Sequence, residues 1–379
     1  MKAAVLRERP FEFLKRKGSN EAFPEQTVAD WYMARAYVLD CLKDVAFVPG
    51  MPGHLHVIVD GDSPLMLSVV RFLCLYAHYL NYVEYDMFGN KVCRNRTVIT
   101  IISAREGADI VSELENEEYL SNLLQVCRYS VAGKVFNEDS YIDIDIEIVK
   151  ECGDDADAIK ITEDNVKAFV ADRPQEEVFS IDTRKAIYSS HAYILGGVID
   201  NLPHEDIFGA GRYVQALDTF RYLLFNDTEA RTLVTPAWEN SPVTVRNGIS
   251  DIMCTDCFES RERAVVSQYP AGSRLSEKER RTIWERNNYA LSLSEHCRWV
   301  VEKLIMGFRP YSNPEFNKYE TLFGSEKSSF CKQMKKDAAD PAHLDLCSYW
   351  DLRRIDPDNL KYDSFLMLAI PLILGKVRQ

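Results

Sequence analysis

A stripe of polar and aromatic side chains near the carboxyl end of the chain has the residue types for binding an anionic ligand. His296, Trp299 and Lys303 recur at intervals of three and four residues, which places them on one face of a helix. Gly307 follows at the position where a glycine ends a helix. A helix that only filled a core would carry leucine on such a face. The stripe therefore predicts a recognition surface more than a catalytic centre.

Other cationic and aromatic residues precede and follow this stripe, in two blocks separated by a polar insertion at about residues 312–340. Together they supply donors for an anion and rings for stacking. The candidate ligand-binding residues are His296, Arg298, Trp299, Lys303, Arg309, Tyr311, His343 and Trp350. The alternative is that the aromatic residues form the core of a small domain, with the polar groups paired at its rim.

A second candidate site is the turn after the first strand, where a nucleotide would bind. Gly61-Asp62-Ser63 follows a strand and precedes a helix, the position in which backbone N–H groups hold a pyrophosphate. Ser63 and Met66 replace two glycines of the dinucleotide fingerprint. The alternative is therefore a turn of the same fold that binds nothing. The candidate cofactor-binding residues are Asp60, Gly61, Asp62, Ser63 and Arg105, and the cofactor would be NAD or another nucleotide.

Two further groups have the residue types of a metal site, but a structural role is favoured for both. Asp143, Asp145 and Glu147 alternate along one strand and share one face. A solvated edge strand protected by its charges is the favoured interpretation. Cys254 and Cys257 have the spacing of a zinc ligand pair, but no second pair accompanies them. We therefore expect no metal site, and no catalytic residue is assigned.

The elements that would position the turn belong to an α/β fold. The segments 55–60 and 97–103 are rich in β-branched residues and flank a helix predicted from 64 to about 82. Strand, turn, helix and strand make a βαβ unit, which predicts a Rossmann-like domain with a parallel sheet. Residues 176–181 are a further predicted strand.

The patterns divide the chain into three predicted parts. Residues 1–48 are a helical N-terminal extension, residues 49–272 the Rossmann-like α/β domain, and residues 273–379 a small, mostly helical domain. Ser276 and Glu279 have the spacing of a capping box. They begin a helical region that is expected to run to about Met306 with a break near Asn287.

The composition limits the classes of partner. The 379 residues include 45 Lys and Arg against 58 Asp and Glu, a net charge of −13. This balance argues against general binding of nucleic acid, which needs a basic face, but allows a local basic pocket for a small anion. Ten scattered cysteines, no signal peptide and no membrane span favour a cytoplasmic protein. A homo-oligomer is compatible with the aromatic content.

The order of residues in the carboxyl-terminal part resembles the ryanodine-receptor-type repeat domain, called RyR, which also occurs in bacterial proteins. The similar residues are His296, Trp299, Lys303, Gly307-Phe308 and Tyr311 in a first block, and His343, Leu344, Leu346, Tyr349, Leu352, Lys361 and Asp363 in a second. Phe308 stands where the family usually has a Trp. The resemblance covers about residues 285–376. It implies a small, mostly helical module for recognition of a ligand or partner, without catalytic residues.

The front part resembles the NAD-binding Rossmann domain of potassium-uptake regulators, the TrkA-N type. The resemblance rests on Leu55–Tyr82 and Thr97–Ser103. Such domains accompany RyR domains in some bacterial proteins. The resemblance implies nucleotide binding at the turn after the first strand.

Three functions follow from these features. We expect a cytoplasmic, non-enzymatic sensor or regulator that binds a nucleotide or another small anionic ligand through one or both domains. An NAD(P)-linked or nucleotide-processing enzyme is the first alternative, and it would need a general acid in the cleft beyond the strand ends. An assembly scaffold without a ligand is the second alternative.

Overall fold

The computed structural model describes residues 34, 38, 42, 45–62, 66–116, 120–150, 176–181, 261, 264–265, 276–305, 307–337, 339–360 and 363–364. The strands are β1 (His54–Asp60), β2 (Val83–Tyr85), β3 (Lys91–Arg94), β4 (Thr97–Ser103), β5 (Arg128–Val131), β6 (Lys134–Phe136), β7 (Ile144–Lys150), β8 (Glu176–Ile181), β9 (Arg309–Pro310) and β10 (Ala342–His343). The helices are α1 (Met66–Tyr76), α2 (Gly107–Asn116), α3 (Ser121–Val126), α4 (Glu277–Arg286), α5 (Asn288–Ile305), α6 (Asn313–Thr321), α7 (Ser325–Lys336) and α8 (Tyr349–Ile355).

A six-stranded mixed sheet lies at the centre of the described part of the chain. Its strand order is β6-β5-β7-β4-β1-β8. All neighbouring pairs are parallel except β5 and β6, which are antiparallel. After β1 and β4 the chain forms β5 and β6 at one edge, then returns to place β7 between β4 and β5, and finally adds β8 on the other side of β1. This order is consistent with a Rossmann-like fold, and the α/β class expected from the sequence is confirmed.

The predicted strands are confirmed closely, whereas the first helix is shorter than predicted. Strands β4 and β8 have the expected bounds, and β1 begins one residue earlier than expected. Helix α1 ends at Tyr76, not near residue 82. The Nε2 atom of His78 lies 2.8 Å from the carbonyl oxygen of Cys74. A continuing helix would pair that carbonyl with the backbone N–H of His78, so the imidazole replaces the next helical hydrogen bond.

The two faces of the sheet differ in polarity. On one face, Leu55, Val57, Ile99, Ile101 and Ile146 belong to the main apolar cluster, together with side chains of α1 and α5. The opposite face carries hydrogen-bonded polar groups across neighbouring strands. The Nε2 atom of His56 is 2.7 Å from Oγ1 of Thr100, whose hydroxyl donates to Glu147 at 3.1 Å. His56, Thr100 and Glu147 thus each have a hydrogen-bond partner on this face.

The interpretation of the acidic strand as a solvated edge strand was wrong. Strand β7 lies between β4 and β5, so both of its edges are paired. Asp145 is buried and pairs with Arg96 at 3.0 Å and Arg128 at 2.5 Å. Asp143 is also buried, 2.8 Å from Nδ1 of His78. Alternation in the sequence identifies the face of a strand, but it contains no information about which strands lie beside it.

The carboxyl-terminal helices pack directly on the sheet domain. The capping box at Ser276 and the break at Asn287 are confirmed. Helix α5 is buried along most of its length, and Val300, Val301 and Leu304 join the cluster that contains the strands. The polar insertion at about residues 312–340 contains helices α6 and α7. Gly307 follows α5 with φ of 86°, a conformation that favours glycine.

Several predictions lie outside the described residues. These are most of the extension 1–48, the boundary at residue 272, the cysteines Cys254 and Cys257, and residues 365–379. In the extension, Ala34, Val38 and Leu42 are helical and buried, as the predicted helix requires. Among the helices that the structure describes, each is too short or too polar to span a lipid bilayer.

Candidate functional site

The glycine of the predicted nucleotide-binding turn is required for packing. The N–H of Gly61 donates to the carbonyl oxygen of Ile102 at 2.7 Å. A Cβ atom at this position would lie 2.8 Å from Cγ2 of Ile101 and 2.9 Å from Cβ of Ser103. These distances are too short for any other residue. The turn is therefore pressed against the end of β4, and its first N–H is not available to a pyrophosphate.

The carboxylate of Asp62 occupies the donors beside this turn. It accepts hydrogen bonds from the Ser103 hydroxyl and, at 3.0 Å, from the backbone N–H of Ala104. Ser103 ends the second parallel strand, where a Rossmann domain binds the ribose. An ionised carboxylate in this place takes the donors that a ribose or phosphate would use, and it repels a phosphate.

Arg105, the predicted phosphate partner, is also engaged within the protein. Its guanidinium donates to Glu113 at 2.5 Å and to the Gly61 carbonyl at 2.6 Å, and it lies 3.5 Å from Asp62. The described residues of this turn therefore do not fit the phosphates of NAD or a similar nucleotide. The side chains of Asp60 and Ser63 are not among those that the structure describes.

Arg298 is buried and enclosed by carboxylates. Its guanidinium donates to Glu295 at 2.8 to 3.1 Å and to Glu302 at 2.7 Å. Arg261 lies 3.1 Å from the same Glu295. Burial alone would lower the pKa of Arg298, but the two carboxylates reverse this and raise it. Its donors are used inside the fold, so we leave Arg298 out of the ligand site proposed below.

The structure brings four of the predicted residues together. The ring of Trp299 lies 6.1 Å from that of His296 and 4.9 Å from that of His343. The Lys303 Nζ atom is 5.9 Å from the Trp299 ring and 2.9 Å from Glu302. Burial, followed by the charge of nearby lysines, lowers the pKa of His343 well below its usual value. This group is thus a packed interior contact between α5 and β10, with its ammonium paired to a carboxylate.

His296 connects α5 to the segments that follow it. Its Nε2 atom is 2.9 Å from the Cys347 carbonyl oxygen, and Nδ1 is 3.3 Å from Asp363. Burial would lower the pKa of His296, but Asp363 outweighs this effect and raises it. An acceptor at each nitrogen is the arrangement that suits a protonated imidazole, which donates through both nitrogens.

Arg309 and Tyr311 lie apart from this group. The guanidinium of Arg309 donates to Glu315 at 2.7 Å and to Asp340 at 2.7 Å. Pairing with Arg309 lowers the pKa of Glu315 to about 2. The Tyr311 ring packs edge-on against Phe330 at 5.9 Å, within the contacts of α6 and α7. Both side chains hold the α6–α7 pair in place.

Among the predicted ligand-binding residues, Trp350 has the most exposed aromatic ring. It belongs to a cluster of aromatic rings around an arginine. Its ring is stacked on Tyr85 with centroids 4.8 Å apart. The Arg353 guanidinium carbon lies 5.7 Å from the Trp350 ring and 4.9 Å from the Tyr289 ring. Trp350 is 42% exposed and Tyr289 is 46% exposed. We call Tyr85, Tyr289, Trp350 and Arg353 the aromatic–arginine surface.

A buried carboxyl group lies directly beneath this surface. Glu84, on β2, is 1% exposed. Its Oε2 atom accepts the backbone N–H of Trp350 at 3.3 Å, whereas Oε1 is buried and has no hydrogen-bond partner among the residues that the structure describes. Burial raises the pKa of Glu84 to about 7, and the positive charge of His296 opposes part of this rise.

Sequence reasoning missed Glu84, Tyr85, Tyr289 and Arg353. A partial signal existed for Arg353, because it follows Trp350 by three residues, the spacing that places two side chains on one face of a helix. Tyr85 and Tyr289 are separated from Trp350 by more than 60 positions of sequence. Only tertiary packing brings them to it.

Comparison with known proteins identified no relative of this chain. The chain matched no protein-family model, no curated protein and no solved structure. The resemblances to the RyR and TrkA-N domains therefore stay predictions.

Proposed function

We propose that this chain is a non-enzymatic, ligand-binding regulatory protein, and that its site is the aromatic–arginine surface. The observation that carries the proposal is the exposure of Trp350 and Tyr289, whose rings lie 5.7 and 4.9 Å from the Arg353 guanidinium carbon. The ligand class is a nucleotide or another small molecule that combines a flat ring with an anionic group.

The chemistry of the surface suits such a ligand. Exposed aromatic rings stack on the faces of bases and other flat rings. A guanidinium binds phosphate or carboxylate through two parallel hydrogen bonds. Arg354, the next residue of α8, is exposed and adds a second positive charge beside the surface. A local basic patch is compatible with the acidic charge of the whole chain.

The regulatory role is favoured over catalysis because the nearest acid–base groups are inaccessible. Glu84 and His296 are both buried, and His296 already donates to two internal acceptors. A general acid or base must reach the proton that it transfers. The predicted RyR-type module is in line with recognition without chemistry. A nicotinamide-linked enzyme stays an alternative. It is not favoured, because the hydrogen-bonding groups of the turn at Gly61 and Asp62 are already used within the protein.

A thermal-shift titration with AMP, ADP, ADP-ribose and NAD tests the proposal. A ligand present at about one hundred times its Kd stabilises the fold by about 2.7 kcal/mol, which is readily measured. We expect Trp350→Ala and Arg353→Ala to abolish the ligand-induced shift. Lys278→Ala removes an exposed cation on α4 and serves as the matched control, which keeps the shift.

The comparison uses the shift between liganded and free forms of each variant, so a change in basal melting temperature does not affect it. Absence of a shift with all four nucleotides would contradict the ligand class. A shift that survives both substitutions would place the binding site elsewhere in the chain.

Self-association is a second candidate function, favoured by an apolar hairpin tip. Met87 is 90% exposed and Phe88 is 81% exposed, between β2 and β3. Asp86 holds this tip rigidly by accepting the N–H groups of Phe88 and Asn90 at 2.9 and 2.8 Å. Light scattering of the wild type and of a Met87→Ser, Phe88→Ser variant tests it. If the wild type and the variant are both monomeric, self-association is eliminated as a function.

A further inference from the structure

The short helix α8 packs on α5 through Tyr349 and Leu352 and also contacts strand β2. Helix α8 has seven residues, too few for a helix to be stable without packing. Two consecutive residues of β2 hold it: Tyr85 stacks on Trp350 at 4.8 Å, and Glu84 accepts the Trp350 N–H at 3.3 Å. A change at Glu84 therefore acts directly on the helix that carries Trp350 and Arg353.

Glu84 has few hydrogen-bond donors around it to stabilise an ionised carboxylate. One of its buried oxygens has no hydrogen-bond partner in the described residues. The other accepts a long hydrogen bond from the Trp350 N–H, and the Ser348 hydroxyl also stabilises the carboxylate and lowers its pKa, though less than burial raises it. Burial of an ionised carboxylate needs full hydrogen bonding or a direct counter-charge, whereas a neutral carboxyl group is much less costly. The geometry therefore suits the protonated form of Glu84, and ionisation would favour a rearrangement that admits water.

Most titratable groups that face Glu84 do not change charge near neutral pH. They are phenols and thiols whose pKa values are raised, mainly by burial: Tyr82, Tyr85, Tyr141, Tyr289, Cys297 and Cys347. Two charged groups remain. His296 on α5, when protonated, lowers the pKa of Glu84, whereas the carboxylate of Asp351 on α8 raises it.

We propose that ligand binding at the aromatic–arginine surface is linked to a proton on Glu84, with the protonated carboxyl holding α8 in its binding position. This inference rests on the proposed function above. Ionisation of Glu84 weakens the contact between β2 and α8, and it places a negative charge beneath a surface that binds an anion. Both effects lower the affinity for ligand as the pH rises. The pKa of about 7 for Glu84 places the transition near neutrality.

Two measurements test the linkage, one without ligand and one with it. The first is the emission of Trp350 against pH, obtained as the difference between the wild type and Trp350→Phe because the chain has five tryptophans. We expect a transition centred near pH 7, its absence in Glu84→Gln, and a lower midpoint in Asp351→Asn. Asp351→Asn keeps the test decisive should Glu84→Gln fail to fold.

The second measurement is the affinity for NAD by calorimetry, because the phosphates of NAD keep their charge across this range. Binding at one site commonly changes the affinity at a second site by about fivefold or more. With a coupling at this low end, NAD should bind about fivefold more weakly at about pH 8 than at about pH 6. Glu84→Gln should bind equally at both.

The outcomes separate the two proposals. A constant Trp350 emission in a folded protein would overturn the linkage, even if NAD binds. Equal NAD affinity at both pH values in the wild type would overturn it as well. A Trp350 transition that Glu84→Gln abolishes, with no binding of any nucleotide, would overturn the proposed function and leave only the proton-dependent placement of α8.

Discussion

Replacement of Glu84 by glutamine should change how the stability of the fold depends on pH. The folded protein raises the pKa of this carboxyl from its ordinary value of 4.5 to about 7, mainly through burial. Between these two pH values the folded state holds a proton that the unfolded state releases. The stability of the wild type must therefore fall as the pH rises through this window, and it should level off above it.

The magnitude follows from the two pKa values. Their difference, converted at about 1.4 kcal/mol for each tenfold change in proton affinity, gives about 3 kcal/mol. Glutamine has a similar shape and does not titrate. The free energy of unfolding of Glu84→Gln, minus that of the wild type, should therefore increase by about 3 kcal/mol between about pH 4.5 and about pH 8.

Urea denaturation at a series of pH values measures this difference. Glu315→Gln is the matched control, because pairing with Arg309 lowers the pKa of Glu315 to about 2. The stability that the Glu315 carboxylate contributes is lost only as the pH falls below 4.5. The free energy of unfolding of Glu315→Gln should therefore differ from that of the wild type by a constant amount above that pH. If the difference between Glu84→Gln and wild type is also constant from about pH 4.5 to about pH 8, the carboxyl is ionised in the fold and the reasoning fails.

Three further substitutions test other parts of the structure by the same unfolding assay. Arg298→Met should destabilise the fold by about 3 kcal/mol, the low end for a broken buried pair, because Glu295 and Glu302 lose their shared cation and each keeps only one other, Arg261 or Lys303; a loss below about 1 kcal/mol would mean that these cations or water compensate the two carboxylates. Gly61→Ala should cost about 1 to 3 kcal/mol through contact with the end of β4, and an unchanged midpoint would refute the close packing there. Phe88→Ser should change stability by less than about 0.5 kcal/mol, since the ring is exposed; a larger loss would show that it is covered.

The strands were predictable because their sequence pattern depends mainly on burial. Thr97–Ser103 is buried at every position, so it appears in the sequence as a nearly continuous run of β-branched residues. The alternation of β7 correctly separated its apolar face from its acidic face. Whether the acidic face met solvent depended on Arg96, Arg128 and the position of β5, which are separated from β7 in the sequence.

The candidate site was only partly predictable. The spacing of His296, Trp299 and Lys303 correctly placed them on one stripe of α5, and His343 does join them. Spacing could not show that the stripe faces inward. Exposure of a helix face is decided by the elements that pack on it, and here β10 and the segment around Cys347 cover it. The exposed ring and cation lie instead on α8.

The sequence by itself determined the α/β class, the strands around β1, the capping box at Ser276 and the helix end at Gly307, because each depends on local propensity or on a period of two or about four residues. Tertiary structure alone decided which charges are buried in pairs, which rings stay exposed, and that the carboxyl group of Glu84 lies buried beneath Trp350. Those properties arise from contacts between residues far apart in the chain, and burial strengthens or shifts every electrostatic interaction that such contacts create.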